Sequence, residues 1–350
     1  MTDKQFLELA AQKGWGYQGL TYPNPAVGAV VTKNSMIVSV EAHKKAGEPH
    51  AEVEALKSAF LLLSPDSDAK EQLSKITSSY EIHDFLRKNG KNVFDECEMF
   101  VTLEPCAHEG KTPSCAMLLS DLKPKRVVIG YPDRSKKAAG GALMLESAGI
   151  KTEILEDIGC FELLEPFLIW QKERFVFYKL AMTFGGRVSG GKISSDATFL
   201  YTHALRDKID LLMIGGNTVR VDSPTLDSRL VNGKAPDILI YTRDNNFVRN
   251  APLFYAAGRE VFISNSLDIP ENYNFVMIEG GVGMLRESLP LATHYLFYMA
   301  PNFYGYSDLL PTDLSLKILH SRIVENNLLV WAKKAWAPPA AARPSLLRPW

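Results

Sequence analysis

The order of apolar and polar positions over the first 63 residues predicts a helix, a hairpin and a second helix. Residues 26–42, AVGAVVTKNSMIVSVEA, form two β-rich runs around a Lys-Asn-Ser turn at residues 33–35, which predicts the hairpin. Apolar residues recur at helical spacing on both sides of it. They are Phe6, Leu7, Leu9 and Ala10 in the first helix, and Val53, Leu56, Phe60 and Leu63 in the second.

From residue 97 to residue 156 the pattern alternates between strands and helices. The predicted elements are a strand at CEMFVTLE, a helix at SCAMLLSDL, a strand at KRVVIG, a helix over 140–148 and a strand at IKTEILE. A hairpin followed by such an alternation is typical of an α/β sandwich. Residues 64–96 are polar and charged and lack this pattern. We interpret them as a surface insertion that is partly helical.

A second α/β set follows a predicted helix around residues 161–174. Its predicted strands are FVFYKLAM, LLMIGG, ILIYT, VFISN, NFVMIEGG and THYLFYMAP. Because short connecting segments alternate with these runs, we expect a mostly parallel sheet. The pattern predicts a first domain over 1–156 and a second over 172–335. The tail 336–350 is rich in proline and alanine, and we expect it to be disordered or foreign to the fold.

Length and charge narrow the class of protein. A chain of 350 residues has room for two domains, and its net charge of −1 gives no basic field that would attract nucleic acid. We find no run of 18 apolar residues and no secretory signal, so we expect a cytoplasmic protein without a membrane partner. In that compartment the four cysteines favour metal or catalytic use over disulfides.

Candidate chemistry lies in two short segments, His50-Ala51-Glu52 and LEPCAHEGKTPSC, which ends at Cys115. Catalytic zinc takes three protein ligands and leaves one position open, and His50, Cys106 and Cys115 suit it by ligand type. Zinc lowers the pKa of its bound water from ~16 to ~7. Glu52, at the start of the predicted helix, could move a proton between that water and a leaving amine. This arrangement is typical of the zinc deaminases.

Two features leave alternatives open. Eight residues separate Cys106 from Cys115, a longer gap than in the general P-C-x-x-C pattern of the deaminases. A structural zinc site would need a fourth ligand, for which His108 is the candidate. Cys97 and Cys160 match no motif, and we interpret both as packing residues.

The chain resembles the bifunctional deaminase/reductase family of riboflavin biosynthesis over most of residues 1–310. The resemblance rests on NPAVGAVV, AHKKAGEPHAEVEAL and TLEPCAHEGKTPSCA, and then on KLAMTFGGRVSGGKISS, IGGNTVRVDSPTLDSRL, IEGG and YLFYMAPNFYG. It implies a cytidine-deaminase-like three-layer domain followed by a dihydrofolate-reductase-like α/β domain. It also allows a homo-oligomer, since family members often self-associate.

The resemblance implies two reactions. The first domain would remove an amino group from 2,5-diamino-6-ribosylamino-4(3H)-pyrimidinone 5′-phosphate with zinc. The second would reduce the ribosyl group with NADPH to give 5-amino-6-(5-phosphoribitylamino)uracil.

The resemblance also implies a role for individual residues. In the first domain, His50, Cys106 and Cys115 match the zinc ligands and Glu52 the proton shuttle, while Asn24, His43, His108, Lys111 and Asp133 match substrate contacts. In the second domain, Met182, Lys192, Ser194, Thr218, Asp222, Gly280 and Gly281 match NADPH contacts. Lys179, Gly190, Arg206, Leu226, Arg229 and Glu279 match contacts to the reductase substrate.

The second domain departs from the family pattern in one loop. Residues 183–187 read TFGGR where the family has SLDGK, Lys192 replaces a tryptophan, and Gly190 replaces a serine. Lys192 could instead meet a cofactor phosphate by charge. In the first domain Ser135 replaces an asparagine. These changes leave open a chain in which only the deaminase half works.

Two other classes stay open at this point. A deaminase that edits nucleic acid shares the H-x-E and P-C motifs, although the net charge and the second domain disfavour it. A zinc-stabilised binding module without catalysis is the other, and Glu52 disfavours it because a structural site needs no acid there.

Overall fold

A computed structural model describes residues 1–110, 112–135, 139–244, 247–304, 308 and 313–335. Lys111 and the tail 336–350, for which the sequence predicts a substrate contact and disorder, lie outside these residues. The chain forms two compact units, Met1–Glu173 and Arg174–Trp350. Among the described residues, no helix has both the length and the apolar character needed to cross a membrane.

Within the described residues, five strands form the sheet of the first unit in the order β2-β1-β3-β4-β5. They are β1 (Gly28–Lys33), β2 (Met36–Ala42), β3 (Cys97–Val101), β4 (Arg126–Ile129) and β5 (Lys151–Ile154). β1 runs antiparallel to β2 and β3, whereas β3, β4 and β5 are parallel. The predicted hairpin turns at Asn34 and Ser35, whose φ angles of 50° and 63° suit the twist of paired strands.

Helices cover both faces of this sheet and make a three-layer α/β/α unit. They are α1 (Asp3–Trp15), α2 (Ala51–Leu63), α3 (Ser67–Lys75), α4 (Ser79–Asn89), α5 (Cys115–Leu122), α6 (Gly141–Ser147) and α7 (Ile158–Lys172). Side chains of β3 alternate between the two layers. Met99 and Val101 pack with α2 and α5, while Phe100 packs with Phe6 of α1 and Cys160 of α7. The sequence therefore predicts the fold class of this unit correctly.

Residues 64–96, which the sequence places at the surface, contain α3 and α4. Leu73, Ile82, Leu86 and Phe94 are fully buried in the same core as α2 and α5. The segment is thus partly helical as expected, but it also has a buried face. Its many charged residues conceal the spacing of Ile82 and Leu86, which lie four residues apart on one side of α4.

The second unit has eight strands in its described part, in the order β12-β13-β11-β6-β10-β7-β8-β9. They are β6 (Phe175–Thr183), β7 (Leu211–Gly215), β8 (Asp237–Tyr241), β9 (Val261–Ser264), β10 (Phe275–Glu279), β11 (His294–Ala300), β12 (Leu316–Val324) and β13 (Asn327–Lys334). The six strands that the sequence predicts, β6 to β11, are parallel to one another. The sequence does not predict β12 and β13, which add an antiparallel hairpin beside β11.

Helices α8 (Asp196–Arg206), α9 (Gly216–Asp222) and α10 (Val282–Ser288) connect these strands. Short 3-10 turns occur at Arg229–Val231 and Pro252–Tyr255. β6, β10 and β7 are parallel neighbours, so their carboxyl ends meet at one edge of the sheet. Open α/β sheets bind their ligands at this edge.

Candidate functional site

His50, Cys106 and Cys115 come together at the first unit's candidate metal site, with one ligand atom of each within 4.8 Å of the others. His50 precedes α2, and Cys115 is the first residue of α5. The Nδ1 atom of His50 lies 3.7 Å from the sulfur of Cys106 and 3.4 Å from that of Cys115. Two thiols and one imidazole nitrogen on one side of a shared space fit zinc.

Hydrogen bonds around the ligands fix their orientation. The Nε2 atom of His50 lies 3.1 Å from the hydroxyl of Thr112, on the side away from the thiols. The Ser114 hydroxyl donates to the carbonyl of Cys106 at 2.7 Å. The Cys115 thiol lowers the pKa of Cys106 to about 4 by hydrogen bonding, and His50 adds to this effect, although burial opposes it. Cys106 is therefore ready to bind a cation as a thiolate.

Glu52 lies on the first turn of α2, two residues past His50, and only 4% of its surface is exposed. Burial raises the pKa of its carboxyl group to about 7, and the neighbouring charge of His50 offsets part of this rise. At neutral pH both protonation states of Glu52 are populated. A group with this pKa is suited to taking up and releasing a proton.

These residues line a cavity of about 540 Å³ in the first unit. Of the residues that the sequence predicts for the deaminase site, the cavity is lined by Asn24, His43, His50, Glu52, Cys106, His108 and Asp133. Cys115 is buried behind the cavity wall, and only 1% of its surface is exposed.

Asn24 and His43 form a polar pair in this cavity. The Nδ1 atom of His43 lies 3.0 Å from the carbonyl of Pro49, which can only accept, so Nδ1 carries the proton. Burial lowers the pKa of His43 to about 4, and the ring is therefore neutral. Its Nε2 accepts from the amide nitrogen of Asn24 at 3.1 Å. The carbonyl oxygen of Asn24 is left to accept a hydrogen bond from a ligand.

In the second unit, Lys179, Arg206 and Glu279 come together. Glu279 and Lys179 are paired across the parallel strands β10 and β6. The Nη2 atom of Arg206, at the end of α8, donates to both carboxylate oxygens of Glu279 at 3.2 and 3.0 Å. Burial acts to raise the pKa of Glu279, but Arg206 and Lys179 hold it below its usual value. Burial lowers the pKa of Lys179, whose Nζ lies 5.0 Å from the ring centre of Tyr298.

Gly280 and Gly281 make a tight turn between β10 and α10, beside this cluster. Gly280 has φ +158°, and a Cβ atom there would lie 2.6 Å from the Cβ of Met284. The Tyr178 hydroxyl donates to the carbonyl of Gly281 at 3.1 Å. The first turn of α10 therefore packs closely against Gly280, which leaves no room for a side chain at this position. Thr218 and Asp222 lie on α9, which follows the neighbouring strand β7.

Comparison with known proteins gives two family matches. Residues 1–131 match the cytidine and deoxycytidylate deaminase zinc-binding region, and residues 174–308 match the RibD C-terminal domain. The riboflavin biosynthesis protein RibD of Aquifex aeolicus is 33% identical over 95% of this chain and 94% of its own length. The RibD protein of Actinobacillus pleuropneumoniae is 34% identical, and the match spans 57% of that protein. The chain belongs to the RibD family.

Solved structures of this family share the fold. A deaminase/reductase from Thermotoga maritima is 24% identical, with a TM-score of 0.62 over 95% of this chain and 99% of that one. A RibD structure from Acinetobacter baumannii has 22% identity and a TM-score of 0.58, with the same coverage. These structures show the fold, while the family matches give the chain a zinc-binding deaminase domain and a RibD reductase domain. Its cofactors are zinc and NADPH.

In the loop over residues 183–192, which departs from the RibD family pattern, the charged side chains already have partners within the second unit. The Arg187 guanidinium donates to the carbonyls of Ser189 and Gly190 and lies 4.4 Å from the ring centre of Tyr304. Lys192 pairs with Asp196 on α8. A cofactor phosphate at Lys192 would therefore compete with a carboxylate.

This loop also approaches the glycine turn, because a Cβ atom at Gly281 would lie 3.8 Å from Val188. Met182 lies near the end of β6 and Ser194 just before α8.

Arg229 and Leu226 follow α9 in a loop. Both Asp227 carboxylate oxygens accept from the Arg229 guanidinium at 3.0 Å. The buried ring of His203, on α8, lies 4.0 Å from Asp227, and burial together with the charge of Arg206 lowers its pKa. Leu226 is buried with φ +55°. Asp227 thus lies between Arg229 and α8, the helix that also carries Arg206, and the sequence does not single out Asp227 or His203.

The sequence does not predict two further residues that line the site, Glu104 and Thr112. The Glu104 carboxylate accepts from the backbone N–H of Asp133 at 2.9 Å and from those of Gly140 and Ala142 at 3.1 and 2.9 Å. It joins the end of β3 to both the Asp133 loop and α6. Glu104 lies next to the P-C motif, and this position is the one signal that could have found it.

Proposed function

We propose that this chain catalyses two successive steps of riboflavin biosynthesis. The first is the hydrolytic deamination of 2,5-diamino-6-ribosylamino-4(3H)-pyrimidinone 5′-phosphate, and the second is the NADPH-dependent reduction of its ribosyl group to ribityl. The product would be 5-amino-6-(5-phosphoribitylamino)uracil. The observation that carries the proposal is the cavity in which Glu52 stands beside the His50, Cys106 and Cys115 set.

In the deamination, a zinc ion held by His50, Cys106 and Cys115 would make the attacking water available as hydroxide at neutral pH. The Glu52 carboxylate takes a proton from the water and delivers it to the departing amino group, which leaves as ammonia. Burial raises the pKa of the Glu52 carboxyl group in the metal-free protein, and bound zinc would act in the opposite direction. The carbonyl oxygen of Asn24, set by His43, accepts from an N–H of the pyrimidine. His108 and Asp133 complete the walls around the base.

In the reduction, NADPH supplies a hydride when bound, and the enzyme has to supply a proton. Lys179 is the candidate donor, because burial lowers the pKa of its ammonium group. Glu279 orients the ribosyl hydroxyls as an acceptor and is itself held by Arg206. Arg229, which is more exposed, is suited to the substrate phosphate.

The test is a coupled assay on the purified full chain with zinc, the diaminopyrimidinone substrate and NADPH. Ammonia and the absorbance of the reduced nicotinamide are followed together. We expect ammonia release followed by NADPH consumption. If neither ammonia release nor NADPH consumption is seen, the proposal is contradicted. Salt-sensitive RNA binding would then favour the nucleic-acid-editing class.

A second candidate is a chain in which only the deaminase half is active. It is favoured by the loop 183–192, where the Arg187 guanidinium is already bound by carbonyl oxygens of its own loop. Ammonia release at constant NADPH would establish this candidate. We expect either enzyme to work in the cytoplasm on a small molecule, since the ligand thiols must stay reduced to bind zinc.

A further inference from the structure

Helix α4, from the segment 64–96, reaches the loop between the two cysteine ligands. The Tyr80 hydroxyl, on the first turn of α4, donates to the carbonyl of Gly110 at 3.3 Å. Gly110 in turn donates its N–H to the carbonyl of Thr112 at 3.0 Å. The hydroxyl of Thr112 lies 3.1 Å from Nε2 of His50. A continuous set of hydrogen bonds therefore joins Tyr80 to a zinc ligand.

The same helix contacts the two helices that carry the site. Arg87 of α4 pairs with Asp121 of α5 at 2.6 Å, and α5 begins at Cys115. Phe85 packs edge-on against Phe60 of α2, with ring centres 5.8 Å apart. These contacts pack α4 against both α2 and α5. The position of Tyr80 is therefore fixed relative to the two helices that carry the site.

Tyr80 itself contributes little to the core. Its side chain is 51% exposed. Packing of the half-exposed ring does not need the hydroxyl group, which instead bonds to Gly110. The bond to Gly110 acts instead on the loop that carries His108, which lines the cavity where the pyrimidine would bind.

We propose that Tyr80 is a positioning residue of the deaminase, which holds the loop 107–110 in the conformation that receives the pyrimidine substrate. The proposal rests on the deamination proposed above. The segment 64–96 is then part of the deaminase site and not an addition at its surface. Loss of the neutral hydrogen bond from Tyr80 to Gly110 would lower the population of the receiving loop conformation, and so weaken substrate binding, by up to about fivefold.

The test compares Tyr80→Phe with Tyr255→Phe in the full chain loaded with zinc. Tyr255 is a matched control: its hydroxyl donates to the Arg249 carbonyl, also at 3.3 Å, and the residue is 75% exposed in the second unit. For each variant, KM and kcat for ammonia release, the zinc content and the thermal midpoint are measured.

For Tyr80→Phe we expect KM to rise by up to about fivefold, with kcat and zinc content close to wild type and a thermal midpoint close to that of Tyr255→Phe. Tyr255→Phe should leave KM, kcat and zinc content unchanged. An unchanged KM in Tyr80→Phe, or a rise in KM that comes with loss of zinc or with a thermal midpoint well below that of Tyr255→Phe, would overturn the proposal. A wild-type chain that releases no ammonia would instead refute the deamination on which it rests.

Discussion

The hydroxyl of Thr112 lies 3.1 Å from the Nε2 atom of His50, on the side of the ring that faces away from the two thiols. The ring is therefore held from outside the metal site, and Nδ1 is directed at Cys106 and Cys115. Partners of this kind fix both the orientation and the tautomer of a metal-binding histidine.

Replacement of Thr112 by valine should weaken zinc binding. The side chain is buried and valine has nearly the same shape, so the main change is loss of the hydroxyl. We expect zinc affinity to fall by about 10- to 100-fold, as measured by competition with a chelator. Thr152→Val is the control, because Thr152 lies on the edge strand β5 and its hydroxyl donates to the carbonyl of Ile150, just before that strand. Equal affinities in the two variants would show that Thr112 does not orient His50.

Glu52→Gln should separate metal binding from catalysis. The amide cannot move a proton, while the ligand atoms of His50, Cys106 and Cys115 are untouched. We expect ammonia release to fall by about 10²- to 10⁴-fold at full zinc content. The measurement is single-turnover ammonia release with zinc determined on the same sample. A variant that keeps its activity would exclude Glu52 as the proton shuttle.

The stability of the zinc-free protein should depend on pH through Glu52. Its folded-state pKa of about 7 lies above the ordinary value of 4.5, so the folded state retains a proton that the unfolded state has lost. This contribution is fully present below pH 4.5 and is lost as the pH rises to about 7. The depressed pKa values of Cys106 and His43 act in the opposite direction, so the contribution of Glu52 is the difference between wild type and Glu52→Gln. From pH 5 to 8 we expect the free energy of unfolding of wild type, measured with urea, to fall relative to that of the variant by up to about 3 kcal/mol. The same pH dependence in both proteins would contradict the prediction.

The buried pair of Arg206 and Glu279 should give a strongly non-additive cycle. Removal of Glu279 leaves Arg206 and Lys179 buried without their counter-charge, which costs about 3–5 kcal/mol. Removal of Arg206 leaves Glu279 with Lys179 as its remaining counter-charge and should cost less. We expect Glu279→Leu to lower the free energy of unfolding of the second unit by about 3–5 kcal/mol, Arg206→Leu to lower it by a smaller amount, and the double variant to lose less than the sum of the two. Denaturant titration monitored in the second unit measures all four proteins. Additive losses would mean that the pair is well solvated.

The metal residues could be proposed from the sequence because zinc chemistry restricts both residue type and spacing. His50, Glu52, Cys106 and Cys115 stand in short motifs, and the structure brings them to one place. Thr112 gave no such signal, since its role depends on where a loop brings its hydroxyl. The strand pattern also predicted β6 to β11, and the apolar runs of the central strands β7, β8 and β10 are continuous because both of their faces are buried.

What the sequence missed depends on tertiary contacts. β12 is a half-exposed strand with a register shift between Ile318 and His320, so its alternation is irregular. In the segment 64–96, Leu73 and Phe94 are buried among residues that are mostly polar. Asp227 accepts from Arg229, two positions further along the chain. The two residues lie outside any regular helix or strand predicted from the sequence, so their spacing does not predict that they form a pair. In each case the environment of the residue, and not its type, determines its structure.

The single carboxylate of Glu104 also limits which residue can occupy its position. Three N–H groups from two separate stretches of chain converge on its two oxygens. Glutamine has nearly the same shape, but it would set an amide N–H₂ against at least one of these donors. Aspartate would be too short to reach both stretches. We therefore expect position 104 to tolerate neither of the two substitutions usually called conservative.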